Sequence, residues 1–213
     1  MGTVKIGDAI SAGWNIYKDN FGLVFLGCLI TWLVSAVSCN VCLGPLLCGM
    51  FMVLARIIKK SEPKPEVGDV FKGFDKFLPA FLLVLVCGIC YFVLQCILLI
   101  IPIIGWILLF IVAFAYGPIL TWALMLIANR DMKWTEAVGF VLKATFNGKF
   151  TMPIVLGILA GIIGSVGIIA CGIGIIFTMP LAVCIYAAAY EQVFGGEGGA
   201  TSAEAPVEPE VVA

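Results

Sequence analysis

The chain has 213 residues, and its composition is that of a membrane protein. Hydrophobic residues make up 62% of the chain and charged residues 12%, whereas about a quarter of a soluble domain is charged. The formal net charge is −1 and the mean hydropathy is +1.16. Apolar runs long enough to cross a bilayer recur from Phe21 onward, which excludes an ordinary soluble domain.

The first predicted element is an amphipathic helix over residues 4–20. Ile6, Ile10, Trp14 and Tyr17 recur at intervals of three and four residues, and polar residues occupy the other side. We expect this helix to lie in the membrane interface with its aromatic side chains at headgroup depth. Similar stripes at 67–77 and 134–145 precede later apolar segments.

Six apolar segments follow in three pairs, and the turn within each pair carries no charge. They cover about 21–38 and 43–55, then 77–101 and 103–128, then 151–169 and 172–190. The predicted fold is therefore all-α, with six transmembrane helices in three repeated hairpins, each preceded by a cytoplasmic amphipathic interface helix. Residues 1–194 form a single transmembrane domain with repeats at about 4–58, 64–129 and 133–191. Residues 195–213 form an acidic tail that we expect to be disordered.

A proline lies in the second segment of each pair, at Pro45, Pro118 and Pro180. Each stands 11 or 12 residues before the first charged residue after its run. At 1.5 Å per residue, that places it roughly 17 Å from the charged edge, near the middle of a ~30 Å hydrocarbon layer. A proline frees a backbone carbonyl, which is tolerated in lipid only when it is buried in protein or faces a cavity. The three prolines and Gln95 are therefore candidate kink or cavity residues, with packing kinks as the alternative.

The charges predict the orientation of the chain. All 12 Lys and Arg residues lie near the N-terminus or in the two longer connectors, and the three turns on the opposite side carry none. By the positive-inside rule, both termini and both connectors are cytoplasmic and the protein is in the cell membrane. Lysines next to the membrane also attract anionic lipid headgroups. The alternative is that these lysines only set the topology. The candidate headgroup contacts are Lys59, Lys60, Lys72, Lys76, Lys133, Lys143 and Lys149.

The sequence carries no pattern of a catalytic or metal site. It has no histidine, which excludes imidazole bases and His-ligated metals, and no GxxxxGK[ST], GxSxG or HExxH motif. We expect no enzymatic activity, no cofactor and no nucleic-acid partner. Cys39 and Cys42 have CxxC spacing at an outer turn, where packing, a disulfide and a redox role all remain open.

A row of small residues at Gly157, Gly161 and Ser165 is a candidate helix-packing face. Residues of this size at intervals of four let two helices approach closely in lipid. The partner helix belongs either to the same bundle or to another copy of the chain. The expected partners are therefore the lipid bilayer and, with this face, a homo-oligomer or other membrane subunits.

Two motifs resemble those of a known group of proteins. Lys-Phe pairs at 76–77 and 149–150 precede apolar segments, and Gly-Pro pairs at 44–45 and 117–118 mark the return segments. Together they resemble prokaryotic six-helix membrane proteins, including the membrane domain fused to some glycerophosphodiester phosphodiesterases. The resemblance covers about residues 4–194 and implies no catalytic residue, because the chain has no phosphodiesterase domain.

Two functions fit these observations. The primary prediction is a non-enzymatic multi-pass protein that organises, shapes or scaffolds the bilayer, because amphipathic helices and hairpins act as wedges. The alternative is a carrier or channel for a neutral or amphipathic solute or lipid, because helices bent near the midplane are typical of transporter binding sites. No charged residue lies within the apolar segments, which argues against transport driven through a buried carboxylate.

Overall fold

The structure, a computed structural model, describes residues 5–101, 104–146, 155, 158–163 and 174–194. Every regular element in these ranges is a helix, which confirms the predicted all-α fold. The tail and much of the fifth predicted span lie outside them. In chain order the elements are α1 (Ile6–Asp19), α2 (Phe21–Val37), α3 (Leu43–Ile58), a 3₁₀ helix (Val67–Lys76), α4 (Phe77–Leu99), α5 (Ile104–Arg130), α6 (Trp134–Phe146) and α7 (Ile175–Phe194).

Within the described residues, two helices are long and apolar enough to cross a membrane, which supports membrane association. They are Val67–Leu99, which joins the 3₁₀ helix to α4, and Ile176–Phe194 within α7. The pair α1 and α2 is a third candidate, but it is bent by 93°. The outer surface of α4 agrees with a lipid environment, since Ile89, Phe92 and Val93 are at least half exposed.

Lys59, Lys76, Asp131 and Glu191 lie together at one end of the helices, the polar end, whereas Lys18 and Asp19 end α1 beside the start of α7. Lys59 of α3 lies 3.8 Å from Glu191 of α7. Lys76, just before α4, lies 2.7 Å from Asp131, just after α5. The C-termini of α3, α5 and α7 therefore meet at the polar end, where α4 begins. The segregation of charge predicted from the sequence holds for these four residues.

The 3₁₀ helix replaces the second α-helical stripe predicted from the sequence. A 3₁₀ helix has three residues per turn, so side chains at i and i+3 lie directly above one another. Val70, Gly73 and Lys76 therefore share one face; Val70 and Gly73 are buried on it. A second row, with neighbouring ring centroids 5.5 to 6.3 Å apart, consists of Phe71, Phe74, Phe77 and Phe81. The repeat of three residues in the sequence thus fits this helix better than an α-helix.

Two glycines let the backbones of α3 and the 3₁₀ helix touch. A Cβ on Gly73 would overlap the carbonyl oxygen of Pro45 and the backbone nitrogen of Gly49. A Cβ on Gly49 would overlap the carbonyl group of Val70. Neither position has room for any side chain, so only glycine fits.

Lys76 closes the C-terminal end of α5. Its ammonium donates to the carbonyl oxygens of Ile127 at 3.2 Å and Ala128 at 2.6 Å, and it pairs with Asp131 at 2.7 Å. The last carbonyls of an α-helix have no amide partner within the helix, and a cation there also interacts favourably with the helix dipole. Only 15% of the Lys76 side chain is exposed, so this lysine is committed to the fold.

The first three helices depart from the predicted repeat. α1 runs antiparallel to α7, because the Lys5 amide donates to Gln192 and the Tyr17 hydroxyl donates to the carbonyl of Phe177. Gly13 brings the α1 backbone onto that of Ile185 midway along the pair. The face of α1 that carries Ala9, Gly13 and Tyr17 thus contacts protein, whereas Trp14 of the predicted stripe is 52% exposed. Small residues at this face allow the close approach.

The turn between α2 and α3 lies beside the middle of α4. Cys39 and Val41 line a hollow together with Phe81, Gly88 and Phe92 of α4. Further along, Gly44 approaches the carbonyl of Ala80. The first hairpin therefore reaches only about half the length of α4, whereas the prediction made the three hairpins equivalent.

The two turn cysteines are free thiols in the structure. Cys39 has a φ of 51°, and the Asn40 amide donates to the Ser35 carbonyl at 2.7 Å. This is the pattern of a Schellman motif, in which one residue in the left-handed region ends the helix. α3 ends in the same way at Lys60, with a φ of 50°. Cys39 therefore has a structural position, and no disulfide joins it to Cys42.

We expect Gly73→Ala to destabilise the protein by more than about 3 kcal/mol, because the new methyl group overlaps backbone atoms that cannot rotate away. Gly68→Ala is the matched control, since it lies on the same 3₁₀ helix with nothing within 4 Å of the added carbon. Thermal unfolding in lipid nanodiscs measures both. Equal unfolding temperatures for the two variants would show that the contact between the backbones is not needed.

Lys76→Met should lower the free energy of unfolding by about 1–3 kcal/mol, because it leaves the two α5 carbonyls without their hydrogen-bond donor. Lys72→Met is the control, since Lys72 is 58% exposed and pairs with Asp69 at the surface, an interaction worth about 1 kcal/mol or less. The same unfolding measurement compares them. A loss for Lys72→Met as large as that for Lys76→Met would contradict the assigned role of Lys76.

Candidate functional site

The candidate site is an apolar cavity of about 380 Å³ between α2, α3, α5 and α7. This volume falls in the range of small-molecule sites, roughly 300–1,000 Å³. Among the described residues that line it there is no Asp, Glu, Lys or Arg. The principal lining residues are Cys28, Thr31, Trp32, Leu47, Met50, Phe51, Gly117, Thr121, Gly161, Ile176, Met179, Pro180, Val183 and Tyr186.

The structure places one of the three predicted prolines in the wall of this cavity. Pro180 lines it directly, and Gly117, the residue before Pro118, lines the α5 side. Both prolines lie inside their helices and are buried. Pro45 instead lies in the first turn of α3, where a proline removes no helical hydrogen bond. It therefore does not bend α3, in contrast to the kink predicted there.

A neighbouring helix supports the backbone at Pro180. Pro180 has no amide N–H, so it gives the carbonyl of Ile176 no helical donor. One residue further on, the carbonyl of Phe177 accepts the hydroxyl of Tyr17 from α1 at 3.0 Å. The ring of Phe177 also stacks on Phe25 of α2, with centroids 5.2 Å apart. The wall of the cavity is thus held by contacts from both α1 and α2.

The polar atoms of the cavity wall are few and uncharged. Thr31 donates its hydroxyl to the Gly27 carbonyl at 2.8 Å, and Thr121 donates to the Gly117 carbonyl at 2.9 Å. Both bonds lie within a single helix, so each hydroxyl oxygen keeps lone pairs that can accept from a ligand. A wall of this kind can bind a molecule through burial and one or two hydrogen bonds. It offers no charged group for acid–base chemistry.

The cavity opens between α2 and α7. Trp32 and Met179 both line it and are 42% and 38% exposed. The other wall residues include buried side chains such as Met50 and Phe51 of α3. An apolar molecule that enters at Trp32 and Met179 would therefore pass from the outer surface of the helices into their interior.

The predicted headgroup lysines do not form one cluster. Lys59 and Lys72 are half exposed and pair with Glu191 and Asp69, respectively. Lys60 is exposed at the end of α3. The side chain of Lys76 is mostly buried against α5. Lys143 is exposed on α6, and Lys149 lies outside the described residues. Lys133 lines a groove of about 330 Å³ together with Trp134 and the apolar residues Leu78, Pro79 and Leu82.

The remaining predicted site residues lie apart. Gln95 is half-buried on the far half of α4 and is not among the cavity residues that the structure describes. Gly157 and Ser165 are outside the described residues. Gly161 lines the cavity, and no described atom lies within 4 Å of the position that a Cβ there would take. Its small size thus leaves space at the cavity instead of a close helix contact among these residues.

Sequence reasoning missed the α2 side of the cavity. Cys28, Thr31 and Trp32 were read as ordinary residues of an apolar segment, although their spacing of three and four places them on one helix face. A threonine and a tryptophan on one face of a very apolar helix were the available signal. The role of Tyr17 at Pro180 had no sequence signal, because 160 residues separate Tyr17 from Phe177.

The resemblance to the six-helix membrane domain stays a prediction. No family model matches the chain, and no curated protein or solved structure matches it.

Proposed function

We propose that the protein is a non-enzymatic membrane carrier that takes a neutral, largely apolar molecule from the bilayer into the cavity between α2, α3, α5 and α7. The observation that carries this proposal is the cavity itself, with its apolar wall at Pro180 and Gly117. Of the two functions that the sequence left open, the cavity favours the carrier.

Bilayer shaping is the second candidate, and one observation supports it. The tip of the α4–α5 hairpin exposes a long apolar surface that includes Ile100, Ile104 and Trp106. An inserted hairpin of this kind displaces lipid. Shaping also requires an amphipathic helix that inserts into the surface of the bilayer. α1 is a weaker candidate for this role, because its residues Ala9, Gly13 and Tyr17 are buried against protein. We therefore rank shaping below binding.

The proposed arrangement in the membrane follows from the polar end. Its lysines face the cytoplasm, as the positive-inside rule predicts for Lys59, Lys76 and Lys133. The α4–α5 hairpin crosses the bilayer from this side. The α2–α3 turn enters the bilayer but stops beside the middle of α4, which modifies the six-span arrangement expected from the sequence. The charge distribution and the position of Cys39 support this proposal.

A labelling experiment with membrane-impermeant maleimide tests the arrangement. Cysteines placed by Glu62→Cys and Lys133→Cys should react only when the cytoplasmic side is accessible. The native Cys39 should react from neither side and become reactive only after denaturation, because its turn lies at the depth of apolar α4, where the thiol does not ionise. Peptide mass spectrometry distinguishes these sites from the other cysteines. Reaction of Cys39 with maleimide added from the outside would contradict this arrangement. It would indicate that the α2–α3 hairpin spans the bilayer.

Gly161→Leu should block binding in the cavity. The added side chain takes the place of about four methyl or methylene groups of the ligand at ~0.8 kcal/mol each, so binding should weaken by about 200-fold. Gly139→Leu on α6 is the matched control, because it too has nothing within 4 Å of the added carbon and does not line the described cavity. The probe is dodecyl methyl ether carrying a diazirine, crosslinked in nanodiscs.

Crosslinks in the wild type should map to the peptides of α2 and α7 and be lost in Gly161→Leu alone. If the wild type crosslinks no more at these helices than at the outer surface of α4, the carrier proposal fails. Unfolding temperatures of the three proteins show whether the variants are intact.

A further inference from the structure

We propose that the ligand of the cavity is an uncharged lipid that carries a hydroxyl group, of the class of long-chain alcohols and diacylglycerols. This inference rests on the function proposed above and adds the chemical class of the ligand. The polar atoms of the cavity wall are the basis of this inference.

The wall excludes a charged ligand. No charged side chain is found among the described lining residues, so a carboxylate or phosphate inside the cavity would lack a counter-ion. An unpaired charge in an apolar environment is strongly unfavourable and neutralises or stays in water. Ionised fatty acids and phospholipid headgroups are therefore excluded from the interior of the cavity.

The wall offers hydrogen-bond acceptors at two threonines. The hydroxyl protons of Thr31 and Thr121 are engaged by the carbonyls of Gly27 and Gly117, at 2.8 and 2.9 Å. Their oxygens each retain acceptor lone pairs. Thr31 is buried, so its oxygen cannot rely on bulk water for a donor.

A third acceptor lies on α7. Ile176 and Pro180 both line the cavity, and they are four residues apart on one helix face. The carbonyl of Ile176 points toward Pro180, which has no N–H to donate to it. A backbone carbonyl without its helical partner is a strong acceptor that a membrane interior tolerates only at a cavity or protein contact.

A ligand hydroxyl is the uncharged group that best complements these acceptors. It donates one hydrogen bond to a threonine oxygen or to the Ile176 carbonyl, and its own oxygen can accept one in return. The indole N–H of Trp32, at the mouth of the cavity, is a donor that it could meet. An ether or a ketone of the same length can only accept. It would leave the wall acceptors without a donor, which costs affinity.

The test compares three ligands of equal chain length in nanodiscs at equal mole fraction in the lipid. Dodecanol, dodecyl methyl ether and dodecanoate compete against crosslinking of the diazirine-bearing dodecyl methyl ether. Dodecanol should bind about three- to tenfold more tightly than the ether, the effect of one net hydrogen bond. Dodecanoate at neutral pH should bind more weakly than both.

Thr121→Val tests the acceptor with little change in shape. It should reduce the advantage of dodecanol over the ether at least twofold while ether crosslinking stays unchanged, and Thr121→Ser should restore the advantage. Thr178→Val is the matched control: Thr178 makes the same bond to its own helix, to the Gly174 carbonyl at 3.2 Å, but is not part of the described lining.

The outcomes separate the two proposals. If dodecanol and the ether bind equally and Gly161→Leu blocks both, the hydroxyl inference is wrong and the carrier proposal stands. If dodecanoate binds as tightly as dodecanol, the inference is also wrong. If none of the three competes with the crosslinked probe, both proposals fail.

Discussion

The contact between α3 and the 3₁₀ helix at Gly49 and Gly73 is the constraint on which the rest of the described structure depends. Because the two backbones touch there, the 3₁₀ helix cannot rotate or slide without a clash. Its threefold repeat then fixes the direction of Lys76, one turn beyond Gly73, toward the last carbonyls of α5. The end of α5 is thus positioned by a contact made on another helix. From Trp122 to Ala128, α5 is buried in the core beside α7.

The sequence predicted the features that depend on composition and failed on those that depend on backbone geometry. Apolar runs and scarce charge were sufficient for the all-α fold, and the positions of the lysines predicted the polar end for Lys59 and Lys76 but not for Lys18, which lies beside the start of α7. Of the three prolines proposed as kink or cavity residues, Pro180 lines the cavity, and Gly117 lines it next to Pro118. The kink predicted at Pro45 is absent. A proline in an apolar run looks the same in the sequence whether it lies in the first turn or in the middle of a helix.

The 3₁₀ helix and α1 show why the sequence did not predict the remaining features of the fold. Phe71, Phe74 and Phe77 are compatible with both helix types, and tertiary contact with α3 decides between them. In α1 the amphipathic pattern predicts an apolar face but not whether lipid or protein covers it. Ala9 and Gly13, which the predicted stripe does not include, are buried, with Gly13 against α7, whereas Trp14 of the stripe is 52% exposed. Among the described residues, the first and second hairpins therefore differ in length, which the apolar pattern alone did not predict.

The uncharged tip of the α4–α5 hairpin has a consequence for how the protein enters the membrane. Residues 77–129 contain no Asp, Glu, Lys or Arg, so insertion of this hairpin in the proposed arrangement would carry no ionised group through the hydrocarbon layer. Each such group would oppose insertion by about 2.5–3.5 kcal/mol. The hairpin can therefore partition into the bilayer as one unit, before α7 is synthesised. In that order of events it would act as the template against which the later helices assemble, with the Lys76–Asp131 ion pair at its polar end.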